Sequence, residues 1–243
     1  MIKATLKRLT RMLGVNFSST DHLGIDVELD LARLSAHDPL QNIFDVGGNF
    51  GQTAVRFARA FPEATVFTFE PVPASFTQLQ QGVKKYDRIK PFSIAFGDIC
   101  GTITINLMKS AAANTMLQNP AATGSMNVGI DTIDSFVSTN AIGEIDLLKL
   151  DVEGYELQVL KGAEQTLSHG RIRYIYTECV LPADNTHTSF FDLHQCLQRH
   201  GFCFVAYYAE AFWLGSGCAL GNALYALRSK LPEKASGRLS NIA

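Results

Sequence analysis

No C-x-x-C pair occurs among the five cysteines, Cys100, Cys179, Cys196, Cys203 and Cys218. An odd number without that spacing suggests neither a disulfide framework nor a zinc site, and points to reduced, mostly buried thiols. Positive charge is not in excess either, since 21 Lys and Arg against 23 Asp and Glu leave a formal net charge of -2. A nucleic-acid backbone is held by clustered cations, so no nucleic-acid partner is expected. The opening MIKATLKRLTRMLGV has neither the unbroken apolar stretch nor the small-residue cleavage site of a signal peptide, which makes a cytoplasmic protein the expectation. Repeats, low-complexity tracts and internal domain boundaries are also missing.

What is present is enough apolar sequence for a large core. The chain has 243 residues, 47% of them hydrophobic and 18% charged, as in ordinary globular proteins. We read an N-terminal helical region over residues 1–41, one domain over 42–230 and a flexible tail over 231–243. In the first, Ile2, Leu6, Leu9 and Leu13 share a helical face while Lys3, Lys7, Arg8 and Arg11 occupy the rest. Such a helix packs on the domain or makes peripheral contact with an anionic membrane. The apolar segment Phe202 to Leu227 is divided by Glu210 and by Gly215, Ser216, Gly217, Gly221 and Asn222, so it reads as two strands around a loop rather than a membrane span.

Between these ends, apolar runs alternate with helical periods, the pattern of an α/β fold whose mostly parallel sheet carries helices on both faces. Strands are expected at NIFDVG, TVFTFE, KPFSIAF, IDLLKLDV and IRYIYTEC, with FCFVAYY and NALYALR as a closing pair. GTITINLM is strand-like, and Lys109 to Gly129 reads as a long polar, Ala-rich connection. One helix is expected over YELQVLKGAEQTLSHG, with a stripe of Leu157, Leu160, Ala163 and Leu167 and Gly170 as its C-terminal cap.

The stretch FDVGGNFGQT follows the first strand, with Gly47, Gly48 and Gly51 in five positions. Strand, glycine turn and helix bring backbone close to a nucleotide-like ligand. The dinucleotide spacing G-x-G-x-x-G is absent, which argues against an NAD-dependent oxidoreductase. The Tyr86-x-x-x-Lys90 pair of short-chain dehydrogenases occurs before the third strand, where it has no such role. The order from Asp45 to Gly51 is D-x-G-x-x-x-G and resembles motif I of class I S-adenosylmethionine-dependent methyltransferases. Glu70, at the end of the second strand, stands where a carboxylate accepts from both ribose hydroxyls.

From about Asn42 to Cys179 the chain closely resembles the FkbM family of methyltransferases. Seven blocks occur in family order: DVGGNFGQTAVRFARAFP, FTFEPVPASFTQL, AFGDICG, NTML, GIDTIDSF, LLKLDVEGYELQVLKGAE and YIYTEC. The resemblance implies a class I, Rossmann-like methyltransferase fold with a seven-stranded sheet. It also implies that Asp45, Gly47, Asn49 and Gly51 wrap the methionine and ribose of S-adenosylmethionine while Glu70 holds the ribose. Gly48 replaces the family's usual alanine and is expected to widen the turn slightly. Asp98 either accepts from the adenine amino group or is a solvated turn residue. Asn114 either lines the cofactor or acceptor side or caps its loop.

Methyl transfer to a hydroxyl needs in-line positioning and loss of a proton, to a base or with help from a metal ion. Asp151 and Glu153 follow the fourth strand, Glu178 ends the fifth, and His187 lies in the loop after it. Asp151, Glu178 and His187 are the catalytic candidates, and Asp151 also borders the cofactor. Glu153 reads alternatively as a helix-start carboxylate and His187 as a loop filler. Asp151 with Glu178 makes only a partial ligand set for a divalent ion, so a base acting without metal is favoured. His22, His37, His169, His194 and His200 show no partner pattern. The expected activity is O-methylation of a glycan hydroxyl, with a secondary-metabolite hydroxyl or a non-catalytic binding module as alternatives. The acceptor class comes from the family resemblance alone.

Overall fold

The computed structural model describes residues 23–110, 114–117, 120–181, 187–213 and 218–231. The basic helix expected over Ile2 to Leu13 and the tail beyond Leu231 lie outside the described residues. Among the described residues seventeen helices and strands carry the fold, beginning with α1 (Val27–Leu34), β1 (Asn42–Val46), α2 (Gln52–Ala60), β2 (Thr65–Phe69), α3 (Pro73–Val83), β3 (Ile89–Phe92), β4 (Ala95–Phe96), β5 (Gly101–Leu107), β6 (Gly124–Asp131), α4 (Ile133–Thr139) and β7 (Ile145–Leu150). Then follow α5 (Glu156–Lys161), α6 (Glu164–Ser168), β8 (Ile172–Leu181), α7 (Phe190–Arg199), β9 (Phe202–Trp213) and β10 (Cys218–Leu227).

The main sheet has seven strands in the order β3-β2-β1-β7-β8-β10-β9. Its first five are parallel, and β10 runs antiparallel to both β8 and β9. Every residue of β7 is buried, as a central strand covered on both faces requires. Alternation along β1 sends Ile43 to a core with Leu31, Phe57 and Leu79, and Phe44 to a core with Phe69, Phe96 and Phe136. Helices α1, α2 and α3 cover the first face and α4 to α7 the second. Aromatic rings bind the second core, with Phe69 5.0 Å from Phe136 and 4.7 Å from Phe96, both edge-on. The fold is the α/β arrangement expected from the sequence, a mostly parallel seven-stranded sheet with helices on both faces.

Three local expectations change. KPFSIAF is not one strand: β3 ends at Phe92 on the main sheet, and β4 joins a separate three-stranded sheet of order β4-β6-β5. The connection from Lys109 to Gly129 contains the first part of β6, which pairs antiparallel with β5 from Gly101 to Leu107. The helix expected over residues 155–170 breaks into α5 and α6. Its break comes from Asp134, whose carboxylate accepts from Gln165 N and Thr166 N, both at 2.8 Å, and whose own N–H takes the Gly162 carbonyl. A side chain about thirty residues away thus caps a new helix start.

Gly170 and the closing pair agree with expectation, whereas the cysteines, expected to be mostly buried, do not. Gly170 adopts φ +64 behind α6, and β9 and β10 form the closing pair. Of the described cysteines, Cys179 is buried, Cys196 and Cys203 are half-buried and Cys100 is exposed, all as free thiols. Among the described residues no helix is long and apolar enough to cross a membrane.

Candidate active site

Strand order reverses between β1 and β7, and a cavity of about 260 Å³ opens there, beyond the carboxyl ends of the parallel strands. Gly47 and Asn49 beyond β1, Glu70 beyond β2, Asp151 and Glu153 beyond β7, and Glu178 of β8 all line it. Phe96 of β4, Ile105 of β5, and Asn114 and Met116 from the segment after β5 close its far wall.

The glycine turn is shaped by close approach. Gly47 has φ +81, and a Cβ there would lie 1.8 Å from the Asp151 carbonyl oxygen. Gly51 has φ +87, and Asn49, at φ 45, takes the left-handed conformation that short polar residues tolerate. Gly47 N and Gly48 N both donate to the Phe69 carbonyl, at 3.0 and 2.9 Å, so the turn is stitched to the end of β2. Gly48 does not widen the turn. A Cβ there would lie 2.2 Å from Thr68 Oγ1, so the glycine makes room for that hydroxyl, which donates to Asp45 Oδ2 at 2.9 Å.

Sequence reasoning missed the residue that fastens this turn. Lys149 pairs in register with Asp45, and its buried ammonium lies 3.0 Å from Asp45 Oδ1 and 3.3 Å from Asp151 Oδ2. It also donates to the Gly47 carbonyl at 2.9 Å. Burial pulls its pKa down, but the Asp151 and Asp45 carboxylates outweigh burial and hold it above the ordinary lysine value. Asp45 is fully buried, so its role is to hold Lys149 and Thr68 rather than to reach into solvent. The available signal was a lysine interrupting the apolar strand IDLLKL.

Glu70 is 7% exposed, and its carboxylate accepts from Asn49 N at 3.0 Å and Val72 N at 2.9 Å. Burial pushes its pKa up to about 7 despite those two bonds. Each oxygen keeps a lone pair for a further donor, which two ribose hydroxyls would supply. Asn49 Oδ1 is buried and has no hydrogen-bond partner among the described residues. A nucleoside with an amino-acid arm would fit this end: a diol for Glu70, a donor for Asn49, and bare glycine backbone against the chain between them.

At the other end, ligand-capable atoms of Glu153, Glu178 and His187 lie within 4.8 Å of one another. Glu153 has φ 54, a left-handed conformation that costs a residue with a Cβ about 1–2 kcal/mol. The turn is braced from two sides. Thr115 Oγ1 donates to the Glu153 carbonyl at 2.7 Å, and the buried Glu156 carboxylate accepts from Val152 N at 3.0 Å and from Thr188 Oγ1. Burial, with Asp151 and Glu156 nearby, pushes Glu153 up to about 7. Burial and the charges of Asp151, Glu153, Glu156 and Glu210 push Glu178 up to about 9. Neither Glu156 nor Thr115 carried a sequence signal, because each acts through a partner distant in the chain.

Asp98 is not among the cavity-lining residues. It accepts from Lys161 Nζ at 2.7 Å, and that bond holds its carboxyl below the usual range. Asn114 lines the cavity and also caps its loop, its Oδ1 accepting from Met108 N at 2.9 Å. His194 stacks on Phe190, His200 lies 3.5 Å from Glu164, and the His169 ring meets the Gln165 carbonyl. The Tyr86 hydroxyl accepts from Arg59 at the surface.

Residues 45–204 match the family model described as the methyltransferase FkbM domain. The 2-O-methyltransferase NoeI of Sinorhizobium fredii is 29% identical over 164 residues, 61% of this chain and 66% of that protein. The hexuronic acid methyltransferase AglP of Haloferax volcanii is 29% identical over 143 residues, 58% of each. The chain thus spans just under two thirds of the length of these curated relatives. Among solved structures it is similar to the N-methyltransferase NodS of Bradyrhizobium japonicum WM9 in complex with S-adenosyl-l-homocysteine. That likeness is 10% identical, covers 83% of this chain and 85% of that one, and has a TM-score of 0.46. The matched span takes in the glycine turn, Glu70, Lys149 and both acidic strand ends, and on that match the chain belongs to the FkbM methyltransferase family.

Proposed function

We propose that the protein is an S-adenosylmethionine-dependent O-methyltransferase whose acceptor is a sugar hydroxyl. The observation that carries this reading is the division of one cavity into two chemically different ends. Gly47, Asn49 and Glu70 form an end suited to ribose and methionine, and Glu153, Glu178 and His187 form an end suited to a hydroxyl that must lose a proton. The sugar is favoured because the two relatives are named for 2-O-methylation and for hexuronic acid.

When bound, S-adenosylmethionine supplies an already activated sulfonium methyl group. The chain's part is then positioning, which contributes about 7 kcal/mol or more in favourable cases. Glu70 and Asn49 fix the ribose end, and Lys149 keeps the glycine turn in register with the sheet. Phe69, Phe96 and Ile105 make the middle of the cavity apolar, which excludes water from the reacting atoms. The acidic end would take charge of the proton that an acceptor hydroxyl must lose on methylation. Activation of the hydroxyl falls to the Glu153, Glu178 and His187 group, with Asp151 on its border.

The test is methyl-labelled S-adenosylmethionine incubated with fractionated sugars, oligosaccharides and lipid-linked glycans, counting label in each fraction. Label in a carbohydrate fraction, lost in Glu178→Gln, is the expected result. Label only in non-carbohydrate hydroxyl compounds would replace the sugar by a secondary metabolite.

A further inference from the structure

The acidic end of the cavity holds more negative charge than its surroundings neutralise. Asp151, Glu153, Glu156 and Glu210 all act on Glu178 with the same sign, and the nearby ammonium of Lys149 is already shared between Asp45 and Asp151. Carboxylates crowded in this way bind either protons or a cation.

Geometry separates a cation site from a merely acidic surface. Glu153, Glu178 and His187 come from three different places, the strained turn after β7, the body of β8 and the segment before α7, and each offers one ligand atom within 4.8 Å of the other two. Three ligands about 2.1 Å from one ion stand roughly 3.0–3.4 Å from one another, so a group spanning up to 4.8 Å must draw in by roughly 1.5 Å. The supporting frame is already built. Thr115 holds the backbone of Glu153, while Glu156 bonds both Val152 and Thr188, the neighbours of Glu153 and His187. Shared bracing of two ligand-bearing segments is what a metal's outer shell requires.

We infer that Glu153, Glu178 and His187 together hold one divalent first-row transition-metal ion at the acceptor end of the cavity. Two carboxylate oxygens and an imidazole nitrogen suit Mn2+, Fe2+, Co2+ or Zn2+ better than the all-oxygen preference of Mg2+ and Ca2+. Three protein ligands leave open positions for acceptor oxygens. The inference deepens the proposed methyl transfer and rests on it for the ion's role. The acceptor hydroxyl binds the ion and gives its proton to water, and its oxygen forms the new O–CH3 bond as S–CH3 breaks, leaving S-adenosylhomocysteine.

The test reads metal binding rather than turnover. The full chain, stripped with chelator, is titrated with MnCl2 while free Mn2+ is followed by electron paramagnetic resonance. Glu153→Gln, Glu178→Gln, His187→Ala and the exposed control Glu63→Gln are treated alike. One Mn2+ per wild-type chain is expected, with affinity at least tenfold weaker in the first three variants and unchanged in the control. Pulsed measurements on the wild type are expected to show nitrogen coupling to bound Mn2+, a readout that needs no variant to fold. No stoichiometric binding, no nitrogen coupling, or undiminished binding by the folded variants overturns the site. A separate calorimetric titration with S-adenosylmethionine keeps the two readings apart. Failure there strikes the proposed function, while the Mn2+ result stands by itself.

Discussion

Buried charge occurs at both ends of the main sheet, and the two ends handle it differently. At the amino ends of the strands, Arg173 lies 2.9 Å from Asp38 and 3.8 Å from Asp146, and Asp146 also accepts from Gln41 N and Asn42 N. Opposite charges and backbone donors meet there, and of the Arg173 guanidinium only Nε is left without a partner among the described residues. At the carboxyl ends, among the described residues, Lys149 alone offsets Asp45 and Asp151, while Glu70, Glu153 and Glu178 are all pushed above the ordinary glutamate range by burial. The first cluster fastens strand starts together. The second stores an electrostatic demand that a ligand must meet, the mark of a functional site.

The sharpest test of that contrast is Glu178→Gln. Methyl transfer is expected to fall about 10²–10⁴-fold, as for loss of a group that manages a proton in the reaction. Stability should move the other way. A carboxyl whose folded pKa is raised gives stability that is present below the unfolded pKa and lost as pH rises through about 9. Glutamine carries no such loss, so urea denaturation should find the variant's advantage growing from pH 5 to pH 9. A variant that loses stability at pH 9 would break the comparison.

Next come the two buried cations. Lys149→Met leaves Asp45 buried without its partner and should cost about 3–5 kcal/mol in urea denaturation. Affinity for S-adenosylmethionine per folded molecule should fall with it, because the Gly47 carbonyl loses its donor. Arg173→Met should cost about 3 kcal/mol, yet calorimetry on the folded fraction should find cofactor affinity unchanged. Equal effects of both on affinity would erase the distinction between the two ends.

A smaller effect comes from Glu70. Its carboxylate accepts from two ribose hydroxyls at once only when ionised, because protonation turns one oxygen into a donor, and burial pushes its pKa up to about 7. Affinity for S-adenosylmethionine should therefore drop by up to about tenfold per pH unit below 7, a slope that Glu70→Gln should abolish. The smallest concerns Gly48. Gly48→Ala should destabilise by about 1–3 kcal/mol, and Thr68→Ala in the same chain should recover part of it by vacating the space that the new methyl needs. Strict additivity would contradict the packing described for that pair.

What could be read from the chain follows from how local each signal is. Buried parallel strands are continuous apolar runs, and the glycine turn with Glu70 twenty-odd residues on is a spacing, so both were legible. The break between α5 and α6 was not, because it is made by Asp134 from another helix. Nor was β6, whose residues Gly124 to Asp131 show little apolar alternation and become a strand only by pairing with β5. At the site, Glu178 was legible as a strand-end carboxylate, while its grouping with Glu153 and His187 depended on a left-handed turn that places Glu153 beside it. Asp98 illustrates the converse. Its position after β4 matches the family pattern, and its carboxylate is taken by Lys161.

An ammonium group has three N–H bonds, and four oxygens stand within 3.4 Å of Lys149 Nζ: Asp45 Oδ1, the Gly47 carbonyl, Asp151 Oδ2 and the Val46 carbonyl. Acceptors at this position therefore outnumber the donors and crowd around the nitrogen, so that each bond of the tetrahedral ammonium is supplied. A guanidinium, planar and with five donors in a fixed fork, cannot reproduce that tetrahedral fan inside the same volume. Arginine at 149 should consequently be tolerated little better than methionine, although it keeps the charge.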